Sequence, residues 1–257
     1  MMSAQSARAY CAAAQAMIAE LVESQMPAIE TAAERCAEAI LGGGLVHLFG
    51  SGHSRMAVEE TWPRYGSFPG FHPIVELSMT YHNQVVGANG QRQAMFVENV
   101  PGLAEVILRN FEMDKRDAMI VFSTSGTSVV PVEVAMAARD LGLYTIGVTS
   151  LAHCRWAKPR QPEGRKLVDV VDLVLDNGAP PGDALVSIDK LPWPVGPGST
   201  LGNTIVVNAL KCQIAELLTA AGEPPLVLTS SYHVGDQESA RLFEAAYHDH
   251  RRRVRRL

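Results

Sequence analysis

Short apolar runs recur along the chain, and most are followed by a glycine- or serine-rich stretch and then by residues with helical spacing. Five such runs predict β-strands, at 45–49, 73–77, 118–122, 144–149 and 170–175. The runs are apolar almost throughout, as expected for strands that helices cover on both faces. The alternation of strand and helix predicts an α/β fold with a doubly wound parallel sheet flanked by helices. Ligands of such sheets bind at the carboxyl ends of the strands.

The remaining pattern predicts helices. They begin at Arg55, 102, 130 and 200, and a last one runs from about 237 into the C-terminal tail. Residues 1–41 are rich in Ala, Glu, Gln and Met, and they predict an N-terminal helical arm of one or two helices, broken near Pro27. The arm precedes an α/β domain at 42–257, and such an arm packs on its own core or on a partner subunit. Segment 151–200 is rich in Pro and Gly and predicts a long functional loop region.

Composition narrows the class of protein. The chain has 257 residues, of which 47% are hydrophobic and 19% charged, so it can bury a large core. Its net charge is -5, which argues against a nucleic-acid surface, and we expect no nucleic-acid partner. The basic run from Arg251 to Arg256 is the exception. Such a run is typical of a solvated end or an oligomer contact, with a nucleic-acid role as the alternative.

The cysteines and the apolar segments predict the compartment. Cys11, Cys36, Cys154 and Cys212 stand far apart, without metal-ligand spacing, which fits a reducing compartment. No secretory signal precedes the first helix, and no apolar run approaches the roughly 20 residues of a membrane span. We therefore expect a cytoplasmic protein with no membrane partner, and no metal or other cofactor.

Two loops carry the candidate chemistry. The first is Gly50–Ser54, and the second is Ser123–Ser128, with five Ser/Thr in six positions. Each follows a predicted strand and opens a predicted helix, whose free N–H groups and partial positive charge suit an anion. One such loop alone is equally typical of an ordinary helix N-cap. Two of them on one sheet favour a phosphate site.

The loops do not match the spacing of known nucleotide-binding or nucleophile motifs. Arg55 stands where G-x-G-x-x-G needs its third glycine, and no lysine follows in the manner of an ATP-type loop. The chain also has no G-x-S-x-G nucleophile elbow.

The second loop, Ser123-x-Ser125-Gly126-x-Ser128, resembles the S-x-S-G-x-[ST] phosphate loop of SIS (sugar isomerase) domains, and Gly50–Ser54 resembles their first loop. The resemblance runs from about residue 40 to 220, and it is closest to a branch described as similar to phosphoheptose isomerase. Leu175–Asp183 and Val195–Thr200 also resemble that branch. The resemblance implies a SIS-type fold, a phosphorylated sugar as ligand, and a homodimer or homotetramer. The reaction stays open, because SIS domains host isomerases, an etherase, synthase halves and sensors.

The predicted site residues follow from the loops and the resemblance. The substrate- and phosphate-binding residues are Ser51, His53, Ser54, Ser123, Ser125, Thr127, Ser128, Asp183 and Ser199, and the catalytic residues are Glu60, Glu59 and His82. For Asp183 the alternative is a turn residue that bonds its own backbone. For His53 and His82 the alternative is a structural role, and His233 is a weaker candidate.

The catalytic prediction comes from the string between Glu59 and Tyr65. It resembles the Glu-Glu…Arg-Tyr string of phosphoheptose isomerases, whose second Glu acts as the base, and this implies Glu60. The gap to the first loop is about one helical turn shorter here. The alternative is a solvated acidic pair bridged to Arg64. Phosphoheptose isomerases also place a catalytic His on the helix that corresponds to 200–221, where this chain has Asn203 and Asn208 but no His.

The leading hypothesis is an aldose/ketose phosphosugar isomerase with a carboxylate base. The first alternative is an etherase or lyase on an amino-sugar phosphate, because Gly-x-Gly-x-Ser followed by Arg55 also resembles muramic acid phosphate etherases. The second is a non-catalytic sugar-phosphate sensor. Sensors carry a DNA-binding module ahead of the SIS domain, and the first 40 residues are too few and too acidic for one.

Overall fold

A five-stranded parallel sheet forms the centre of the molecule in the computed structural model, which describes residues 4–80 and 90–257. The strands are β1 (Val46–Gly50), β2 (Phe71–Pro73), β3 (Ala118–Phe122), β4 (Tyr144–Thr149) and β5 (Leu173–Asp176), in the order β2-β1-β3-β4-β5. All pairs are parallel. The strand order reverses between β1 and β3, so the topological switch point lies between these neighbours. The predicted fold class is confirmed.

Helices surround the sheet. They are α1 (Gln5–Leu41), α2 (Arg55–Thr61), α3 (Leu77–Thr80), α4 (Gly90–Val97), α5 (Leu103–Leu108), α6 (Val129–Asp140), α7 (Leu151–Trp156), α8 (Leu167–Val170), α9 (Ser199–Ala220), α10 (Ser231–Val234) and α11 (Asp236–Arg253). Short 3₁₀ turns at Gly52–Ser54 and Val254–Arg256 precede α2 and follow α11. Within the described ranges, no helix is long and apolar enough to cross a membrane.

Two hydrophobic cores cover the two faces of the sheet, because side chains alternate along each strand. Ile120 and Phe122 of β3 pack with α1, α2 and α9 on one face. Met119 and Val121 pack with α5, α6 and α8 on the other face. This double burial explains why the strand sequences are apolar at nearly every position.

The N-terminal segment is one continuous helix of 37 residues, so the predicted break near Pro27 is wrong. Pro27 is exposed, and the carbonyl that loses its partner, at Glu23, is on an exposed residue and can bond to water. Leu21, Ile29 and Cys36 lie in the same core as the sheet. The predicted domain division after residue 41 stays a prediction.

Two predicted strands are misplaced along the chain. The run 73–77 predicted a strand, but β2 ends at Pro73 and Leu77 begins α3. The Glu76 carboxylate accepts the Met79 N–H (2.9 Å) and so satisfies a free donor of that helix. The run 170–175 predicted the last strand, but Val170 ends α8 and β5 begins at Leu173.

Candidate functional site

The two serine-rich loops lie side by side. They follow β1 and β3, which are neighbours in the sheet with Gly50 opposite Phe122. Both loops therefore lie at the carboxyl ends of the strands, at the switch point where open α/β sheets bind ligands. The structure brings together Ser51, Ser54, Ser123, Ser125, Thr127 and Ser128 on these two loops.

Glycines allow the first loop to turn sharply. A Cβ on Gly50 would lie 2.8 Å from the Ser54 carbonyl oxygen, and Gly52 has φ +55°, a conformation that favours glycine. Arg55 closes the turn, because its guanidinium donates to the Gly52 carbonyl (3.1 Å) and to Glu59 (3.3 Å).

The second loop is held by its neighbours in the sheet. The Thr124 carbonyl accepts the Ser150 N–H (3.0 Å), and the Gly126 carbonyl accepts the Leu167 N–H (2.8 Å). Within the loop, the Ser125 and Thr127 hydroxyls are 3.0 Å apart. The backbone is therefore fixed by bonds that leave the loop hydroxyls grouped at the edge of the sheet.

Glu98 joins the two loops, although no motif marks it. Its carboxylate accepts the Ser51 hydroxyl (2.5 Å) from the first loop and the Ser128 hydroxyl (3.1 Å) from the second. Its carbonyl accepts the Val130 N–H (2.9 Å) in the first turn of α6. Glu98 stands just beyond α4, in a stretch with no motif, so only the folded chain shows that it reaches the switch point.

The loop serines do not act as helix caps. Ser51, Ser54 and Ser128 occupy N-cap positions, yet none of their side chains bonds to its own helix. Ser150 and Ser230, by contrast, accept an N–H of the helix that each precedes. The capping alternative therefore fails for Ser51, Ser54 and Ser128.

Glu60 lies on α2, with both carboxylate oxygens occupied. One oxygen accepts the Asn208 amide (3.0 Å), and the other is paired with the Arg64 guanidinium. The Lys211 ammonium donates to the Glu60 carbonyl (3.0 Å), and burial lowers the pKa of this lysine. Asn208 thus contacts the predicted base from the helix on which the resemblance implied a histidine. Glu59 is paired with Arg55 and is more exposed.

Asp183 and Ser199 bond to each other. The Asp183 carboxylate accepts the N–H groups of Gly198 (3.0 Å) and Ser199 (2.7 Å), and also the Ser199 hydroxyl (2.6 Å). These bonds satisfy the start of α9. Their predicted role in binding the sugar stays a prediction.

Two of the candidate histidines are exposed. His53 is exposed in the first loop, and His233 is exposed in α10. His82 lies outside the described residues.

Part of the basic C-terminal tail packs at the amino ends of the strands, opposite the serine loops. Arg253 donates to the Ile40 carbonyl (2.9 Å), and Arg256 pairs with buried Asp117. Asp117 also faces His47 (3.4 Å). Burial alone would raise the pKa of Asp117, but hydrogen bonds from His47 and Arg256 hold it well below its usual range. Part of the predicted solvated tail is therefore an internal contact.

The described residues contain no group of three or more His, Cys, Asp or Glu side chains that could hold a metal ion. The chemistry that these residues offer at the switch point is a set of hydroxyl donors around one carboxylate. Such a set can bind an anion and move a proton.

The profile of the SIS domain family matches residues 9–150, which include both loops and Glu98. The chain therefore belongs to the SIS domain family. Among its relatives, UPF0309 protein GK1441 of Geobacillus kaustophilus is 34% identical over 217 residues, covering 84% of each chain. UPF0309 protein BH3325 of Halalkalibacterium halodurans is 31% identical over 235 residues, covering 91% of this chain and 95% of the relative.

Solved structures show the same fold. A phosphoheptose isomerase from Francisella tularensis has a TM-score of 0.54 at 19% identity, over 84% of this chain and 100% of that chain. Phosphoheptose isomerase GmhA from Neisseria gonorrhoeae has a TM-score of 0.54 at 16% identity, over 82% and 97%.

Proposed function

We propose that this chain binds a phosphorylated sugar between the two serine loops and interconverts its aldose and ketose forms. The observation that carries the proposal is that hydroxyls from both loops converge on one carboxylate, Glu98, at the switch point of the sheet. Membership of the SIS domain family and the fold shared with two phosphoheptose isomerases support the same class of ligand.

The phosphate would bind to the second loop. Ser123, Ser125 and Thr127 offer hydroxyls there, and α6 begins two residues after Thr127. The partial positive charge of a helix N-terminus favours a dianionic phosphate. Ser51 and Ser128 already donate to Glu98 and would hold the carboxylate beside the phosphate.

Glu98 is the best candidate for the base. Aldose–ketose conversion removes a proton from the carbon next to a carbonyl and returns it to the adjacent carbon, which one carboxylate can do. Glu98 contacts both loops directly. Glu60 instead bonds to Asn208 and pairs with Arg64, neither of which belongs to a serine loop. Backbone N–H groups of the loops would stabilise the enediolate.

The first experiment tests binding. Thermal unfolding is followed with aldose, ketose and amino-sugar phosphates, each beside its unphosphorylated parent. At a hundredfold above Kd, a specific ligand stabilises the fold by roughly 2.7 kcal/mol. Stabilisation by a phosphosugar but not by its parent is the expected result. Stabilisation by neither would remove the phosphate site from the proposal.

The second experiment tests the base with the sugar found in the first. Glu98→Gln keeps the shape of the side chain and is expected to lower kcat by roughly 10²–10⁴-fold. Glu60→Gln is tested beside it, and Glu105→Gln, in an exposed pair with Arg109, is the control. A full loss in Glu60→Gln with normal turnover in Glu98→Gln would reverse the assignment. Release of lactate from a muramic acid phosphate would point to the etherase instead.

A further inference from the structure

A strongly basic segment lies next to the second serine loop. Residues 155–166, here called the cationic segment, contain Arg155, Lys158, Arg160, Arg165 and Lys166 against the single acid Glu163. These residues give it a net charge of +4, in a chain whose total is -5. Such a local excess of one sign attracts ligands of the opposite sign.

Residues on either side of the cationic segment bond to the second serine loop. Ser150, one residue before α7, donates its N–H to the Thr124 carbonyl (3.0 Å), and Leu167, just after the segment, donates to the Gly126 carbonyl (2.8 Å). A Cβ on Gly126 would lie 3.1 Å from the sulfur of Cys154, so α7 passes beside the loop. The cations therefore stand within reach of a ligand whose phosphate lies on the serine loop.

Internal hydrogen bonds give the cationic segment a defined shape. The buried side chain of Gln161 accepts the Glu163 N–H (2.8 Å), and Gly164 donates to the Gln161 carbonyl (2.9 Å). The Lys166 ammonium donates to the Cys154 carbonyl (2.6 Å) at the end of α7. The exposed cations are thus carried on a fixed turn rather than on an unstructured linker.

Three of the cations are exposed and also have no ion pair within residues 4–80 and 90–257: Arg155, Lys158 and Arg160. Trp156 stands among them with 82% of its surface exposed. A planar aromatic surface beside free cations suits a ligand that has both phosphate and a flat ring.

We propose that the cationic segment is a second subsite, which binds a further phosphoryl group of the ligand beside the serine loops. The inference rests on the proposed function and adds ligands with two phosphoryl groups to those that the site holds. A sugar that is phosphorylated at C1 has no free carbonyl, so it would occupy the site without being isomerised. The second group would come from a sugar bisphosphate or from a nucleoside diphosphate sugar. Only the nucleotide would also place a ring on Trp156.

The experiment compares affinities by titration calorimetry at low and at moderate salt. The ligands are glucose 6-phosphate, glucose 1,6-bisphosphate and UDP-glucose. At least one ligand with two phosphoryl groups is expected to bind about tenfold or more tightly than the monophosphate. The gain is expected to shrink as salt rises, because exposed charges are screened. Equal affinity of all three ligands would overturn the subsite.

Matched variants locate the effect. Arg155→Gln/Lys158→Gln/Arg160→Gln is expected to abolish the gain from the second phosphoryl group and leave monophosphate binding unchanged. Arg8→Gln/Arg251→Gln/Arg255→Gln removes the same charge from exposed positions elsewhere and is expected to keep the gain. An equal loss in both triple variants would show a general charge effect and contradict the proposal.

A second pair of variants identifies the source of the phosphoryl group. Trp156→Ala is expected to weaken UDP-glucose on the order of tenfold if a nucleotide binds there, and to leave the bisphosphate unchanged. Tyr232→Ala, at another exposed aromatic side chain, is the control.

Inorganic pyrophosphate separates this inference from the proposed function. It is titrated into Ser123→Ala/Ser125→Ala, in which the first phosphate site is weakened. Pyrophosphate is expected to bind this variant, and to stop binding when Arg155, Lys158 and Arg160 are also replaced. That result supports the subsite even if no sugar monophosphate binds the wild type. Absence of pyrophosphate binding to Ser123→Ala/Ser125→Ala overturns the subsite and leaves the proposed function standing.

Discussion

A serine at the start of a helix can bond to that helix or to another group. In this chain a loop serine bonds to the candidate site, whereas a serine elsewhere caps its helix. The Ser128 hydroxyl donates to Glu98 (3.1 Å) and leaves α6 uncapped. The Ser150 hydroxyl accepts the His153 N–H (3.0 Å) and donates to the Ala179 carbonyl (2.6 Å), so it stabilises α7.

The two serines therefore predict opposite effects on stability and binding. Ser128→Ala is expected to change the free energy of unfolding by less than about 1 kcal/mol and to weaken phosphosugar binding. Ser150→Ala is expected to cost about 1–3 kcal/mol, because it removes a cap and leaves a buried carbonyl unpaired. Urea unfolding beside ligand titration checks both. A larger loss of stability in Ser128→Ala than in Ser150→Ala would contradict the distinction.

Gly126 of the second loop has little room for a side chain. Its φ is +64°, and a Cβ there would lie 3.1 Å from both the Cys154 sulfur and the Thr149 hydroxyl. Gly126→Ala is expected to destabilise the fold by about 2–4 kcal/mol, from backbone strain together with overpacking. Gly164→Ala is the control, since its φ is +76° but no atom lies within 4 Å of the added carbon. Its expected cost is about 1 kcal/mol. Equal costs, measured by urea unfolding, would show that packing against Cys154 is unimportant.

Sequence alone predicted the serine loops but missed the group that joins them. Ser51 and Ser128 were predictable, because their loops follow apolar strands that end at one edge of a parallel sheet. Glu98 was not, since its position depends on how α4 and the following turn pack against α6. For Asp183, the sequence predicted a turn but not the bonds to Ser199. These bonds join residues 16 apart across a loop, so the sequence pattern does not show them.

At the scale of the elements, the central strands were predictable and the edges were not. Ala118–Phe122 and Tyr144–Thr149 are observed where the pattern predicted them, because both faces of these strands are buried. The edge strands β2 and β5 are short and lie beside turns of helix with equally apolar sequences. Hydrophobicity cannot distinguish a short buried strand from a short buried helix, so the predicted bounds of β2 and β5 were wrong.

Helix α1 gives a prediction about proline inside a helix. Pro27 leaves the Glu23 carbonyl without its intrahelical donor, yet the helix continues because Leu21 and Ile29 are buried on either side. Pro27→Ala restores the N–H and is expected to raise the free energy of unfolding by about 1–2 kcal/mol, somewhat less than the full cost of proline in a helix interior. Urea unfolding measures it. A loss of stability would mean that Pro27 is needed where it stands.

His72, on β2, predicts a pH dependence. Its Nδ1 lies 2.9 Å from Nδ1 of His47, and nearby charged groups are Asp117, Arg256 and His250. Burial, with His47 next, lowers the pKa of His72 from 6.5 to about 3. Between these values the unfolded chain binds the proton and the folded chain does not, so stability is full above about pH 6.5 and falls as the pH drops towards 3.

The variant His72→Asn removes the titrating ring. Its free energy of unfolding is expected to depend less steeply on pH between 6.5 and 4 than that of the wild type, by up to about 1.4 kcal/mol per pH unit. Urea unfolding across this range measures the slopes, and His233→Asn, at an exposed histidine, is the control. Parallel curves for wild type and His72→Asn would exclude His72 as the source.

At the scale of the whole molecule, several of the exposed apolar side chains lie on one hairpin. An antiparallel bridge between Val186 and Val195 closes a hairpin whose exposed residues include Ile188, Leu191 and Trp193, the last with 76% of its surface exposed. Contiguous apolar surface of this kind marks an interaction site more often than a free surface. Most soluble oligomers are symmetric homomers, so a second copy of the chain is the expected partner.

The chain is therefore predicted to form a homodimer or homotetramer, with light scattering after size exclusion giving two or four times 27.7 kDa. Trp193→Ser is expected to weaken the assembly at least tenfold, because it removes a large apolar side chain from the hairpin. Trp156→Ser removes an equally exposed tryptophan from the cationic segment and is expected to leave the assembly unchanged. A wild type with only the monomer mass would contradict the oligomer. An assembly weakened by Trp156→Ser and not by Trp193→Ser would move the interface from the hairpin to the edge of the sheet that carries the site.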